Sequence, residues 1–299
     1  MSLFAYRRPE HLRRTVNGLL SNPEARRTPL YLFCDAARKP EHQAEVDAVR
    51  RYAESIGGFA HLELIRRSEN LGLARSIVAG VTEVLQQHES VIVVEDDLLT
   101  APHFLSFMNA GLSCYAADEQ VGSIHGYTYP VDTQLPETFF LRGADCWGWA
   151  TWRRAWRHFN PNGSELLREL RCRGLTRAFD LGGAYPYTKM LEGQIAGRND
   201  SWAIRWHASC FLKEMLTLYP ARSLVSNIGN DGTGTHGGNE ETFDVELCQR
   251  RIDVQRIECR QNEAALAAVA RFFRRERRID KRIVRRVRSA LSAIKSVAR

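Results

Sequence analysis

Ser90-Val91-Ile92-Val93-Val94-Glu95-Asp96-Asp97 is an apolar run that ends in three acids. An uninterrupted apolar run this short reads as a strand buried on both faces, with carboxylates delivered at its carboxyl end. The same rhythm stands upstream of it. Leu30-Tyr31-Leu32-Phe33-Cys34-Asp35 is a second apolar run closing on an acid. Ala60–Arg66 alternates Leu62 and Leu64 against His61 and Glu63, and Leu3–Tyr6 is a shorter apolar stub. Helical segments separate these runs. One starts at Pro9, a residue suited to the first helical turn, and reaches about Leu20. Others cover 40–56 and Leu73–Gln87, the latter with Leu73, Ile77, Val81 and Val84 on its apolar face. Four βα repeats predict an α/β fold: a mostly parallel, Rossmann-like sheet flanked by helices, with right-handed crossovers.

Beyond residue 100 the alternation loosens. Pro102–Ala117 reads as a helix, Val121–Gly126 and Thr138–Leu141 as strands, and 164–172, 185–197 and 203–216 as helices. Asn227–Gly238 is a loop dominated by glycine and small polar residues. The expected organisation is one domain over 1–245, divided into a nucleotide-binding half (1–100) and an acceptor half (101–245), followed by a helical extension over 246–299. Of 299 residues, 44% are hydrophobic and 26% charged, which excludes collagen-like, disordered and disulfide-scaffold classes. Seven scattered cysteines without a CxxC pair read as reduced thiols of a cytoplasmic protein, with neither zinc nor disulfides. No apolar run approaches the ~20 residues needed to span a bilayer, and Met1–Arg8 has no export-signal core.

The net charge of +7 is unevenly spread. Residues 271–299 hold twelve Lys and Arg against two acids, a charge of +10, which leaves −3 for residues 1–270. Apolar residues at 279, 283, 287, 290, 294 and 297 fall at helical spacing, so the extension reads as a basic amphipathic helix. Such a helix suits an anionic membrane surface; the alternatives are packing on the body or on a second subunit. No base-reading motif accompanies the charge, so nucleic acid is not expected as a partner.

Ligands of open parallel sheets bind at the carboxyl ends of strands, where Asp35 and Asp96-Asp97 are placed. Adjacent carboxylates are hard oxygen ligands suited to Mg²⁺ or Mn²⁺ shared with a diphosphate; they equally serve to cap a strand. Arg75 follows Asn70-Leu71-Gly72 in the first turn of a helix, where it would reach a base or phosphate or simply face solvent. Tyr6-Arg7-Arg8-Pro9, Asp35, Asn70-x-Gly72-x-x-x-Arg75 and Glu95-Asp96-Asp97 together resemble the nucleotide-sugar half of a GT-A glycosyltransferase. Gly148-Trp149-Ala150-Thr151-Trp152, Asp200-Ser201-Trp202 and Asn227–Gly238 extend the likeness to bacterial family-2-like sugar transferases. The N-acetylglucosaminyltransferase I family is similar more distantly. The resemblance spans roughly residues 3–245 and departs from the family in its short first strand.

That resemblance implies a GT-A fold, a UDP-sugar donor and Mn²⁺ or Mg²⁺ as cofactor. It assigns Tyr6, Arg7 and Asp35 to the nucleoside, Arg75 to the base or diphosphate, Asp97 to the metal and Asp96 to the ribose or donor sugar. It places His236 in a loop that closes over the diphosphate; an ordinary loop imidazole is the plainer alternative. An inverting transfer needs a carboxylate to take the acceptor proton, for which Asp200 is the first candidate, with Glu192 and Asp145 in reserve. Asp200 would otherwise cap the helix that follows it. Trp147, Trp149 and Trp202 are candidate walls for a sugar ring, whereas Trp152 and Trp156 are spaced for the core. The expected activity is metal-dependent, inverting sugar transfer in polysaccharide biosynthesis, cytoplasmic or peripheral on the inner membrane face. Its acceptor would be a glycan or lipid-linked saccharide, and the protein a possible homodimer. A sugar nucleotidyltransferase shares the sheet but expects a glycine-rich basic first loop that Tyr6–Pro9 lacks. A membrane- or nucleic-acid-binding module without catalysis is the other alternative.

Overall fold

A computed structural model describes residues 1–229 and 241–277. Its first half follows the expected repeat: β1 (Ser2–Ala5), α1 (Pro9–Leu20), β2 (Pro29–Cys34), α2 (Gln43–Glu54), β3 (His61–Arg66), α3 (Leu73–Gln87) and β4 (Ser90–Glu95). A short β5 (Leu98–Thr100) turns back from the acids, and α4 (Phe104–Cys114) and β6 (Val121–His125) follow. The second half holds β7 (Thr138–Arg142), β8 (Trp149–Trp152), α5 (Arg153–Trp156), α6 (Gly163–Cys172), α7 (Thr176–Phe179), α8 (Tyr187–Ile195) and α9 (Trp202–Leu212). It ends in β9 (Leu216–Pro220) and β10 (Val225–Asn227), and residues 263–277 are helical.

Eight strands form one mixed sheet in the order β3-β2-β1-β4-β8-β6-β9-β7. β3, β2, β1 and β4 are mutually parallel, as are β6 and β9, while β8 and β7 run antiparallel to their neighbours. Strand alternation divides the core into two layers. Leu3, Ile92 and Val94 face the layer packed by α1, α2 and α4, whereas Phe4, Val91 and Val93 face the layer of α3, α5 and α9. Helices thus cover both faces of an α/β, Rossmann-like sheet, and ligand access is left at its edges and strand ends.

Several elements differ from the sequence reading. β8, β9 and the short pair β5–β10 are strands where none was expected. Trp152 ends β8 and does not share a helix with Trp156, although both are buried as expected. The helix expected over 203–216 stops at Leu212, and Leu216 already pairs in β9. Past residue 245 the chain joins the body's core: Cys248 and Ile252 enter the layer beneath α1 and α4, and Ala265, Phe272 and Phe273 pack with Phe139 and Tyr219. The basic stripe from 279 to 297 lies outside the described residues, as does His236. Among the described residues no helix is long and apolar enough to cross a membrane.

Candidate active site

Because β1, β2 and β4 are parallel, their carboxyl ends open on one side, and a cavity of about 570 Å³ lies there. Register sets Phe4 opposite Glu95, so the residues after β1 meet the acids after β4. The Tyr6 amide donates to Asp96 Oδ2 at 3.3 Å, and Thr15 Oγ1 of α1 donates to the Asp96 carbonyl at 2.7 Å. On the far side β10 pairs with β5, and the Ile228 amide donates to the Asp97 carbonyl at 2.8 Å. Gly229 then passes so close that an added Cβ would run into the Asp97 carboxylate. The acids are therefore gripped from both sides, and the residue that leads into the glycine-rich segment rests on them.

Arg8 dominates the electrostatics. Its Nη2 donates to Asp96 Oδ1 and to Asp97 Oδ2, each at 2.7 Å, while Nη1 is buried with no partner among the described residues. Burial works against its charge, but Asp96 and Asp97 outweigh that and hold the guanidinium above its ordinary range. Burial raises the carboxyl of Asp96 above its usual range, with Arg8 opposing. Burial, then repulsion from Asp97 and Asp96, raises Glu95 likewise. With Glu95 held toward its neutral form, Asp96 and Asp97 still face a single guanidinium, and that charge balance favours an additional cation. Among the described residues no three His, Cys, Asp or Glu side chains are grouped to hold a metal ion. The donor set nevertheless fits a hard divalent cation: two carboxylate oxygens already converge on one cationic nitrogen, and diphosphate and water oxygens would supply the remaining ligands.

Beside the acids, Tyr6, Arg7 and Asp35 all line the cavity. The Tyr6 hydroxyl lies 2.8 Å from His42 Nδ1 and accepts from the Arg38 amide at 2.9 Å. Arg7 is ion-paired with Glu45 at 3.1 Å. Asp35 is buried, and its carboxylate accepts from the amides of Ala36, Leu71 and Gly72 at 2.9–3.1 Å, fixing the loop that opens α3. Arg75 is exposed on α3 and does not line the cavity.

Opposite these residues, Asp200 lines the cavity with a side chain 69% exposed, 3.6 Å from Arg205 Nη2. It does not cap α9. Ser201 does, its Oγ accepting from the Ile204 amide at 3.2 Å, and Asn199 Oδ1 accepts from the Ser201 amide at 3.1 Å. Flanking side chains hold the backbone, so the Asp200 carboxylate is not consumed by the helix. Ser201→Ala is expected to cost about 1 kcal/mol in urea unfolding, and Asp200→Ala distinctly less. Equal losses would mean that Asp200 shares the capping. Glu192 is paired with Arg171 at 2.7 Å away from the cavity.

Trp147 and Trp202 line the cavity, but Trp149 does not. Trp149 is fully buried because alternation along β8 points it into the α3–α9 layer, where it stacks with Trp202 at 5.3 Å and meets Trp206 at a tilt at 6.1 Å. It supports Trp202 from behind and is withdrawn as a ligand wall. Sequence reading passed over Arg8, whose only signal was a basic residue immediately before the first helical Pro. It also passed over the surroundings of Asp145, which line the same cavity.

No family model matches the chain, and no curated protein matches it. Solved structures similar to it include a mannosyltransferase from Pyrobaculum calidifontis in complex with GDP-Man and Mn²⁺, 20% identical over 43% of this chain and 34% of that one, with a TM-score of 0.32. TarS of S. aureus is 13% identical over 48% of this chain and 24% of its own, with a TM-score of 0.31. A UDP-glucose pyrophosphorylase complexed with UDP-glucose is 11% identical over 73% of this chain and 89% of its own, with a TM-score of 0.34. The chain spans about a third of the length of the first and a quarter of the second.

Proposed function

We propose that this chain is a metal-dependent glycosyltransferase. It moves a sugar from a nucleotide-sugar of the UDP class to a hydroxyl of a glycan or lipid-linked saccharide, with inversion. The observation that carries this reading is that one cavity is lined by Arg8, the Asp96–Asp97 pair and Asp200 together. Donor and acceptor ends of a transfer are thereby given separate groups. The sequence likeness to GT-A enzymes agrees with it.

In this reading Tyr6 and Arg7 line the nucleoside pocket, and Asp35 shapes it by holding the 71–72 amides. The unpaired Arg8 Nη1 donates to the donor diphosphate and so gains the partner it lacks. A divalent cation held by Asp97, with Asp96 beside it, would neutralise charge on the departing diphosphate. Asp200 takes the acceptor hydroxyl proton as that oxygen attacks the anomeric carbon and the bond to the diphosphate breaks.

Thermal shifts with UDP-, GDP- and dTDP-sugars, in Mn²⁺ and in EDTA, test the donor half. One nucleotide-sugar should stabilise the chain, by about 2.7 kcal/mol at a concentration near 100 times its Kd, and EDTA or Asp97→Ala should remove the gain. Stabilisation by none of them, or pyrophosphate release from a nucleoside triphosphate and a sugar phosphate, would overturn the reading; the latter favours nucleotidyl transfer.

A further inference from the structure

The same cavity is lined by Asp145, His125, His207 and a group of aromatic rings, to which the donor reading assigns no role. The polar centre of this chamber is Asp145, half-buried in the connection from β7 to β8. Both of its hydroxyl partners are phenols that converge on Oδ2: Tyr129 donates at 3.1 Å and Tyr219 at 2.8 Å. Neither carries a positive charge, and among the described residues no Lys or Arg forms an ion pair with Asp145. A carboxylate has further lone-pair directions, so it still accepts donors.

Two imidazoles line the same chamber with unpaired nitrogens. His125 is 1% exposed; its Nε2 accepts from the Trp147 amide at 3.1 Å, which leaves the proton on Nδ1, where among the described residues no side chain or carbonyl meets hydrogen-bond geometry. His207 holds the Ala144 backbone through Nδ1 at 2.8 Å and has no partner at Nε2 among the described residues. Burial pushes His125 down to about 4 and lowers His207, with Asp145 and then a backbone carbonyl, that of Tyr127 for His125 and of Ala144 for His207, opposing in each case. Aromatic rings enclose this centre in series. Trp147 meets Tyr127 at 4.8 Å, Tyr127 meets Tyr129 at 5.4 Å, Tyr129 meets Phe273 at 4.9 Å, and Phe273 meets Tyr185 at 4.5 Å.

Each class of occupant can be weighed against that inventory. A phosphate or carboxylate would meet the uncompensated charge of Asp145. A purely apolar group filling the site would leave the His125 N–H and the carboxylate without a partner from it. An ammonium ion offers donors only, satisfying Asp145 and leaving Nδ1–H orphaned. A hydroxyl both donates and accepts, and the C–H face of a sugar ring is the apolar surface that aromatic faces cover.

We propose that the Asp145 chamber is the acceptor subsite and admits an uncharged pyranose, one hydroxyl donating to Asp145 and one accepting from His125 Nδ1. It rests on the transferase reading for the word acceptor, but not for the binding itself. Any charged part of the acceptor stays outside the ring wall.

Saturation-transfer NMR on the full chain tests it, with methyl mannoside, glucoside and galactoside against methyl glucuronide, with and without nucleotide-sugar. Saturation should reach at least one neutral pyranoside, the glucuronide should bind more weakly, and Asp145→Asn should weaken binding about tenfold, the loss of one hydrogen bond to a charged acceptor. Phe273→Leu, which keeps an apolar wall without the ring, should weaken it too. No neutral pyranoside binding, equal binding of the glucuronide, or indifference to Asp145→Asn in a folded variant would overturn the proposal. Failure of the transferase reading is visible separately: pyranoside binding persists while no nucleotide-sugar binds.

Discussion

Asp200→Asn should lower turnover by about two to four orders of magnitude, the range for losing a positioned general base. Nucleotide-sugar affinity should stay within about twofold, as for a surface substitution. The expectation follows from how the residue is held. It lines the cavity, its one ion pair among the described residues is a loose one at 3.6 Å to Arg205, and the helix cap is made by its neighbour Ser201. Asparagine keeps the shape and removes the basicity, so the loss should fall on kcat with KM little changed. Isothermal titration with the donor and steady-state kinetics on one preparation separate the two. Full turnover in Asp200→Asn would dismiss it as the base and pass the role to Asp145.

The second large effect is on stability. Arg8→Met removes the cation shared by Asp96 and Asp97 while keeping most of the aliphatic stem, and should cost about 3–5 kcal/mol near neutral pH, as for breaking a buried ion pair from one side. The sign of its pH dependence is fixed by the acids left behind. Burial already holds Glu95 and Asp96 above their usual range, and without Arg8 they rise further. The folded state then binds more protons than the unfolded one, so the variant should regain stability as pH falls from 8 toward the unfolded value near 4. Mn²⁺ should restore part of the loss by taking the place of the guanidinium. Urea unfolding at several pH values, with and without Mn²⁺, reads all three effects. A loss that ignores both pH and metal would mean that Arg8 acts through packing alone.

The parallel half was legible because each strand there is a continuous apolar run closed by a polar step, and because α3 carries its stripe at regular spacing. The acid pair was legible for the same reason: it ends a run. Trp149 was misplaced because its side depends on which strands flank β8, and both β4 and β6 lie far away in sequence. β9 was hidden because Leu216-Thr217-Leu218-Tyr219 follows a buried apolar helix with little polar punctuation. Arg7 and Arg8 look alike on paper. Only Pro9 starting α1 at once decides that the second of them turns to the acids. The Asp145 centre draws its phenols from positions 16 and 74 residues away, a separation that no local pattern carries.

Phe273 belongs to the ring wall although it lies on the helix that leads toward the basic end of the chain. That helix is fastened beyond the ring: Arg275 pairs with Asp132 at 3.0 Å, and Arg277 donates to the carbonyls of Gly183 and Ala184. Where the chain is cut therefore decides what a truncation reports. Ending it after Arg277 removes most of the charge and spares the wall, so any change in location can be read by itself. Ending it before Phe272 opens the chamber as well, and lost activity would then be mistaken for lost anchoring.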